Sequence, residues 1–154
     1  MSEQIPGPLS VRECDVLAAL ASSTKASRAL EVGHYLGLST SVLLQSLPDR
    51  CELVTVDHHQ GDEWCPATSP DEFMDNVGPF VGDRSFRFVN DDMRSALTDV
   101  GWGFGFVFYD ADHTASAVAE FWDHAAGLLD ERCTLVFDDA DWAEQSTLRG
   151  LAEA

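Results

Sequence analysis

The sequence is poor in positive charge. Its 154 residues contain 9 Lys and Arg against 27 Asp and Glu, which gives a formal net charge of −18 at pH 7. Nucleic acids and anionic membrane surfaces are bound through clustered cations, so a surface of this sign would repel both. We therefore expect neither nucleic acid nor membrane lipid among the partners, and the acidity by itself indicates a well-solvated surface.

Cysteine is sparse, and long apolar runs are missing. The four cysteines at positions 14, 51, 65 and 133 form no C-x-x-C pair, which indicates neither a zinc spacing nor a disulfide framework. The longest apolar runs are too short to span a bilayer, and residues 1–10 lack the basic and then apolar pattern of a secretory signal. We expect a cytoplasmic protein.

What the sequence does contain is a regular alternation of strand-like and helix-like segments. Hydrophobic residues make up 45% of the chain, which is enough to build the core of one domain. Buried strand-like runs occupy residues 28–33, 51–57, 85–91, 104–112 and 133–139. Helical patterns occupy residues 11–22, 39–47, 71–80, 92–100, 115–129 and 141–154, the third of them ending at Gly78-Pro79. This alternation predicts an α/β fold with a parallel sheet and helices on both faces.

The stretch ALEVGHYLGLSTSVLLQSL, residues 29–47, joins the first strand to the next helix through two glycines. Gly33 and Gly37 allow a tight turn and the close approach of a ligand. The free N–H groups at the start of the helix can then meet polar ligand atoms. The spacing is neither a dinucleotide fingerprint nor a P-loop, and the alternative is a tight turn that binds nothing.

An acidic residue, Asp57, ends the second strand. A carboxylate there, roughly 20 residues after a glycine turn, can accept hydrogen bonds from both hydroxyl groups of a ribose. The alternative is a carboxylate that caps a loop. The turn and the carboxylate together favour a ligand site.

The segments ALEVGHYLGLSTSVLL, LVTVDHHQGDEW, FVNDDMRSAL, FVFYDADHTASAV and TLVFDDADW follow one another over residues 26–142. In this order they resemble the class I S-adenosylmethionine-dependent methyltransferases, most of all the small-molecule O-methyltransferase branch with a D-x-D-H motif after strand four. The resemblance implies a Rossmann-like, doubly wound sheet of five strands and methyl transfer to a small-molecule hydroxyl. The single domain, 1–154, then comprises an N-terminal helix (1–25), a cofactor-binding core (26–142) and a final helix (141–154).

The resemblance also implies which residues bind S-adenosylmethionine. The set is Glu31, Gly33, Gly37, Ser39, Thr40, Asp57 and Asp91. The first five would form the wall beside the methionine part of the cofactor. Asp57 would hold the ribose, and Asp91 would lie near the adenine.

The implied catalytic residues are Asp110, under the reactive methyl group, and His113 of the D-x-D-H motif, as a general base. In metal-dependent members a divalent cation lies at positions that match Asp110, Asp138 and Asp139. Three carboxylates at neighbouring strand ends repel one another unless a cation lies between them. Mg²⁺, which takes oxygen ligands, would lower the pKa of a substrate hydroxyl. The alternative is that Asp138, Asp139 and Asp141 cap the final helix.

Two adjacent histidines, His58 and His59, begin the loop after the second strand. They are candidates to line the substrate cavity or to bind a metal. Neighbouring residues of an extended chain point to opposite sides, which argues against their acting together as ligands. The alternative is that both are ordinary polar loop residues.

The fifth strand, CTLVF at 133–137, departs from the family pattern, in which two further strands follow. It would be an apolar edge strand, which associates with other chains unless it is covered. We therefore expect a homo-oligomer or a hetero-complex that covers this edge. Two alternatives to methyl transfer remain: an elimination or ring closure catalysed together with a homologous partner, and a non-catalytic scaffold subunit.

Overall fold

The structure is a computed structural model that describes residues 5–61 and 65–139. Within these residues five strands form one sheet: β1 (Arg28–Val32), β2 (Glu52–Asp57), β3 (Phe86–Asn90), β4 (Phe104–Tyr109) and β5 (Leu129–Phe137). The helices are α1 (Val11–Ser23), α2 (Leu38–Ser46), α3 (Pro70–Val81), α4 (Met93–Asp99) and α5 (Ala115–Ala125). The strands lie in the order β3-β2-β1-β4-β5, and every neighbouring pair is parallel. The predicted Rossmann-like fold class is confirmed.

Side-chain caps fix where four of the helices begin, and one of these caps is Asp92, which accepts a hydrogen bond from the N–H of Arg94 before α4. Ser10 and Glu13 form a reciprocal capping box before α1, and Ser69 and Glu72 form another before α3. Thr114 caps α5 by accepting a hydrogen bond from the N–H of Ala117. These contacts satisfy N–H groups that a helix cannot pair internally. None of the helices in the two described ranges is long and apolar enough to cross a membrane.

The sheet separates two apolar clusters. On one face α1, α2 and α3 pack over side chains that include Leu53 and Phe106. On the other face α4 and α5 cover Leu30, Val54 and Val107. Because successive strand residues point to opposite faces, the central strands must be apolar at nearly every position, as the sequence predicted.

Several predicted boundaries were wrong: α5 ends at Ala125 rather than at residue 129, and β4 ends at Tyr109 rather than at residue 112. Helix α3 does not end at Gly78-Pro79 but runs to Val81, and the chain turns at Gly82. A proline in the last turn removes only one hydrogen bond near a helix end, so the helix continues past it. Strand β5 begins at Leu129 rather than at residue 133, because Leu129 pairs with Phe104 of β4 across an irregular register. The predicted final helix, 141–154, lies outside the described residues.

The strand order reverses at β1, which pairs with β2 on one side and β4 on the other. The connections after β1 and β4 therefore run to opposite faces of the sheet. A crevice opens between them, beyond the carboxyl ends of the strands. Gly33 follows β1 directly and has φ of 82°. A Cβ atom at this position would lie 2.1 Å from the carbonyl oxygen of Asp110, so glycine is needed where the two strand ends meet.

Replacing Gly33 by alanine should destabilise the fold by about 2–5 kcal/mol, since it adds a left-handed backbone penalty to a steric overlap. The matched control is Gly78→Ala on α3, where a Cβ atom would meet nothing within 4 Å. Alanine suits an exposed helix position, so this variant should gain about 0.5–1 kcal/mol. Urea unfolding of both variants measures the difference, and equal stabilities would contradict this account of the turn.

Candidate functional site

A cavity of about 740 Å³ lies at the carboxyl ends of the central strands, over the point where the strand order reverses. Its walls are the turn after β1, the loops after β2 and β4, and the N-terminal segment Pro6–Leu9. The volume is in the range of small-molecule and cofactor sites.

The lining of this cavity is acidic. Five carboxylates contribute to it, from Asp57, Asp91, Asp110, Asp112 and Asp139, together with four histidines. Among the described residues that line the cavity, none is Lys or Arg. A lining of this kind attracts cationic ligand groups and repels phosphates.

Asp57 lies at the end of β2 and lines the cavity, but its carboxylate is already hydrogen-bonded to the backbone. Oδ2 accepts from the N–H groups of His34 and Tyr35, each at 3.0 Å, and Oδ1 accepts from the N–H of His59 at 2.8 Å. Burial raises the pKa of Asp57, but the neighbouring His34 and these N–H groups outweigh burial and hold the pKa below its usual value. A carboxylate has about four acceptor positions, so roughly one remains for a ligand.

The predicted glycines have different positions. Gly33 lines the cavity, whereas Gly37 packs against α3: a Cβ atom there would lie 2.4 Å from Val77 Cγ1. Gly37 also has φ of 94° at the start of α2. It therefore serves helix packing and the turn, and it is not among the residues that contact the cavity.

Glu31 and Thr40 lie behind the cavity wall, and Ser39 is on it. The Thr40 hydroxyl donates a hydrogen bond of 2.7 Å to Glu31 Oε2, while Oε1 has no hydrogen-bond partner of good geometry within the described chain. Burial raises the pKa of Glu31 to about 7, against the opposing effect of nearby hydroxyl groups. Glu31 is fully buried and is not among the residues that line the cavity.

Asp91 follows β3 and lines the far end of the cavity beside Met93. Its side chain is exposed, and it accepts hydrogen bonds from the N–H of Asp92 and the hydroxyl of Ser95. These contacts fix its direction at the start of α4. The Asp57 side chain connects separate backbone segments. The Asp91 side chain does not, and it is therefore available to bind a ligand.

The predicted catalytic residues lie together at the ends of β4 and β5. His113 Nε2 is 3.8 Å from Asp110 Oδ1 and 3.7 Å from Asp139 Oδ2. Burial, and after it the charge of Asp138, raises the pKa of Asp110 to about 8. Burial and the charge of Asp139 likewise raise the pKa of Asp138. The arrangement holds an imidazole between two carboxylates at the cavity edge.

The expected metal ligands do not converge. Asp110 and Asp139 line the main cavity, whereas Asp138 lines a second pocket between α1 and β5. Within residues 5–61 and 65–139, no group of three or more His, Cys, Asp or Glu residues is arranged to hold a metal ion. The carboxylate oxygens suit Mg²⁺ in kind, but their positions do not form a coordination shell.

Two parts of the site were missed in the sequence. The segment Pro6–Leu9, to which the sequence analysis assigned no part of the site, forms one wall of the cavity. His34, directly after Gly33, is buried and contacts His59, whereas His58 is exposed. The local signal was a histidine in the glycine turn and a second histidine two residues after Asp57.

Comparisons with solved structures identify similar folds. An O-methyltransferase of Bacillus cereus in complex with SAH has a TM-score of 0.70 at 19% identity, over 97% of this chain and 70% of that one. A putative O-methyltransferase of Klebsiella pneumoniae also has a TM-score of 0.70 at 19% identity, over 96% and 68% of the two chains. An O-methyltransferase of Streptomyces achromogenes involved in tomaymycin synthesis, in complex with SAM, has a TM-score of 0.67 at 20% identity, over 94% and 66%.

Comparisons with sequences give the family. A search of curated proteins found no match. A family model described as a methyltransferase domain matches residues 30–140, which include the end of β1 and all of β2 to β5. This match agrees with the five segments on which the resemblance was based. The chain belongs to the methyltransferase-domain family.

Proposed function

We propose that this protein transfers a methyl group from S-adenosylmethionine to the hydroxyl group of a small molecule. The observation that carries the proposal is an acidic cavity without Lys or Arg in its described lining, at the strand ends of a methyltransferase domain. Similar folds with SAH or SAM bound, in the proteins of B. cereus and S. achromogenes, support the choice of cofactor.

The charge of the cavity separates this cofactor from other adenosine ligands. S-adenosylmethionine carries a sulfonium and an ammonium group against a single carboxylate, so it is a net cation that carboxylates such as Asp57 and Asp110 attract. Dinucleotides and ATP carry phosphates, which need cations or a suitable helix N-terminus. The described lining offers five carboxylates and no Lys or Arg, so it favours the cationic ligand.

The cofactor-binding residues follow from their positions on the lining. The Gly33 turn and Ser39 would border the methionine part, the remaining acceptor position of Asp57 would take a ribose hydroxyl, and Asp91 with Met93 would border the adenine. When bound, the cofactor would supply an electrophilic methyl group that leaves a neutral thioether behind. Three residues support the wall from behind and need not contact the cofactor: Glu31, Gly37 and Thr40.

The chain itself must take up one proton, since a hydroxyl that becomes a methyl ether loses its hydrogen. His113 is the proposed base. Its Nε2 accepts the hydroxyl proton, and the resulting imidazolium lies within 3.8 Å of Asp110 and Asp139. Asp139, together with the ionised form of Asp110 that the imidazolium itself favours, stabilises that cation, which favours proton transfer at the moment the new bond forms.

Mg²⁺ assistance, which the resemblance implies, has support from donor chemistry only. Asp110, Asp138 and Asp139 are hard oxygen donors, and the raised pKa values of Asp110 and Asp138 reflect burial together with mutual repulsion. Against this, His113 lies between Asp110 and Asp139, and Asp138 opens to the second pocket. The proposed mechanism therefore includes no step at a metal ion.

A second chain at the β5 edge is a further part of the proposal. Within the described residues β5 pairs only with β4, and most of its side chains, including Leu135, Val136 and Phe137, are half-buried. An edge with apolar faces favours pairing with another chain. A homo-oligomer or a hetero-complex would cover residues 133–137.

Calorimetric titration of the protein tests the cofactor. S-adenosylmethionine and S-adenosylhomocysteine should bind with micromolar affinity, about −8 kcal/mol, while ATP should bind at least ~100-fold more weakly because of the acidic lining. Asp91→Ala should weaken binding about tenfold. The matched control is Asp123→Ala, which removes an equally exposed carboxylate on α5, away from the cavity.

The same titration decides among the alternatives. Equal effects of Asp91→Ala and Asp123→Ala would contradict the proposed adenine end of the cavity. Failure of both cofactor forms to bind would leave the non-methylating enzyme and the scaffold subunit. A heat of Mg²⁺ binding that disappears in Asp138→Asn would establish the metal, and its absence would remove Mg²⁺ from the proposal.

Substitution of the proposed catalytic residues should separate binding from turnover. His113→Gln and Asp110→Asn should keep S-adenosylhomocysteine affinity within about threefold and lower methyl transfer by about 10²–10⁴-fold, the range for loss of a positioned acid or base. Formation of S-adenosylhomocysteine with a hydroxylated acceptor, found by screening, measures turnover. Full activity of Asp110→Asn would show that its carboxylate has no part in the reaction.

Light scattering tests the covered edge. The purified protein should have the mass of two or more chains, against 16.8 kDa for one. Val136→Lys places a charge on the half-buried end of β5 and should shift the mass toward one chain. A single-chain mass for the unmodified protein would argue against the homo-oligomer, and co-purification of a different chain would then be expected.

A further inference from the structure

Two histidine rings meet beneath the wall of the cavity. His34 Nε2 lies 3.2 Å from His59 Nε2, and the two residues are only 3% and 6% exposed. The other nitrogen of each ring meets a hydroxyl group: His34 Nδ1 lies 2.6 Å from Thr55 Oγ1, and His59 Nδ1 lies 2.8 Å from Thr68 Oγ1. The four side chains thus form one continuous row of hydrogen bonds between β2 and the loop that follows it.

This histidine pair (His34 and His59) fastens the loop after β2 to the turn after β1. The backbone of His59 donates to Asp57 and accepts from the N–H of Thr68 at 3.1 Å. The His34 ring stacks on Phe73 of α3 with 3.9 Å between ring centroids. His59 has φ of 56°, a region that residues other than glycine rarely adopt, so its contacts must hold it there.

The contact between the rings constrains their protons. A hydrogen bond between two Nε2 atoms needs one donor and one acceptor, so two neutral rings must adopt opposite tautomers. A second proton on the pair would place two N–H groups against each other, and burial opposes even the first. Burial is the main reason that the pKa of His34 falls to about 3 and that the pKa of His59 lies below its usual value.

We propose that His34 and His59 are positioning residues for the cofactor cavity, and that their contact holds its wall in place only while the pair carries no more than one proton. Both residues line the cavity, as do Tyr35, Gly61 and Thr68 beside them. If the contact between the two rings broke, this side of the wall would be released. The backbone N–H groups that donate hydrogen bonds to Asp57 would be released with it. The functional consequence is a loss of cofactor affinity in acid. This consequence rests on the proposed function, whereas the contact between the two histidines does not.

The sign of the pH dependence follows from proton linkage. In the open state each ring regains an ordinary pKa of about 6.5, while in the closed state the pKa is lowered, so acid favours opening below about pH 6.5. Among the residues that the structure describes, Asp57 and His58 are the charged groups that face the pair, and Glu31 of β1 lies across from Thr55. The α3 and β3 elements contribute only Phe73 and Phe88, which do not titrate.

Amide hydrogen exchange measured by NMR tests the contact without any ligand. Between about pH 7.5 and about pH 5.5, the opening equilibrium read from the His59 and Thr68 amides, after correction for chemical exchange rates, should rise about 100-fold if the closed pair takes up no proton in this range, and about 10-fold if it takes up one proton with an ordinary pKa. His59→Gln, which retains an amide in place of Nε2, should show a rise about tenfold smaller. It also leaves Glu31 and Asp57 unchanged.

The matched control is His124→Gln on α5, on the opposite face of the sheet, which should respond to pH like the unmodified protein. An equal rise in the unmodified protein and in His59→Gln would overturn the proposal. Nitrogen-15 spectra of the imidazoles in the unmodified protein give a second test that needs no variant. Opposite tautomers of His34 and His59 at neutral pH are expected, and identical tautomers would overturn the contact.

Titration with S-adenosylhomocysteine at the same two pH values tests the consequence. Its affinity should fall in acid, and fall less in His59→Gln than in the unmodified protein. Unchanged affinity together with increased opening would overturn the positioning role. Absence of binding at either pH would overturn the proposed function alone, because hydrogen exchange decides the histidine contact separately.

Discussion

One carboxylate, that of Asp57, joins the backbone segments on which the cavity depends. Hydrogen bonds from N–H groups to a carboxylate are stronger than those between neutral groups, and buried N–H groups left unpaired are costly. The Asp57 side chain therefore fixes the shape of two other segments, the turn at His34 and Tyr35 and the loop at His59. A ribose hydroxyl would meet a carboxylate whose direction is already fixed, which lowers the entropic cost of binding.

A second constraint is the concentration of negative charge at the strand ends. Parallel strands bring their carboxyl ends together, so Asp57, Asp110 and Asp138 share one edge of the sheet although they are far apart in sequence. Buried and close to one another, Asp110 and Asp138 are harder to ionise than isolated carboxyl groups. A cation in the cavity would offset this repulsion, so the same charges that repel one another favour a cationic ligand.

The sequence was sufficient for the sheet because its strands are buried on both faces and read as continuous apolar runs. It also placed Asp57 and Asp110 at the ends of such runs, and both line the cavity. It could not decide which residues of α2 face the cavity. A helix turns about 100° per residue, so Ser39 reaches the wall while Thr40 points to the sheet. The His34 contact with His59 was beyond prediction because it joins two loops whose conformations no periodicity encodes.

The polar residues beneath the cavity form a layer of their own within an apolar core. Glu31 lies directly across from Thr55 in the pairing of β1 with β2, and Thr55 in turn contacts the His34 ring. Apolar packing fixes volumes but tolerates small rotations, whereas hydrogen bonds constrain direction. The buried carboxyl group of Glu31 has one good hydrogen-bond partner, Thr40, and such a group destabilises the fold. Here, however, it lies beside the hydrogen bonds that orient the glycine turn. Stability is thus lower where the position of the turn matters most, a pattern expected at functional sites.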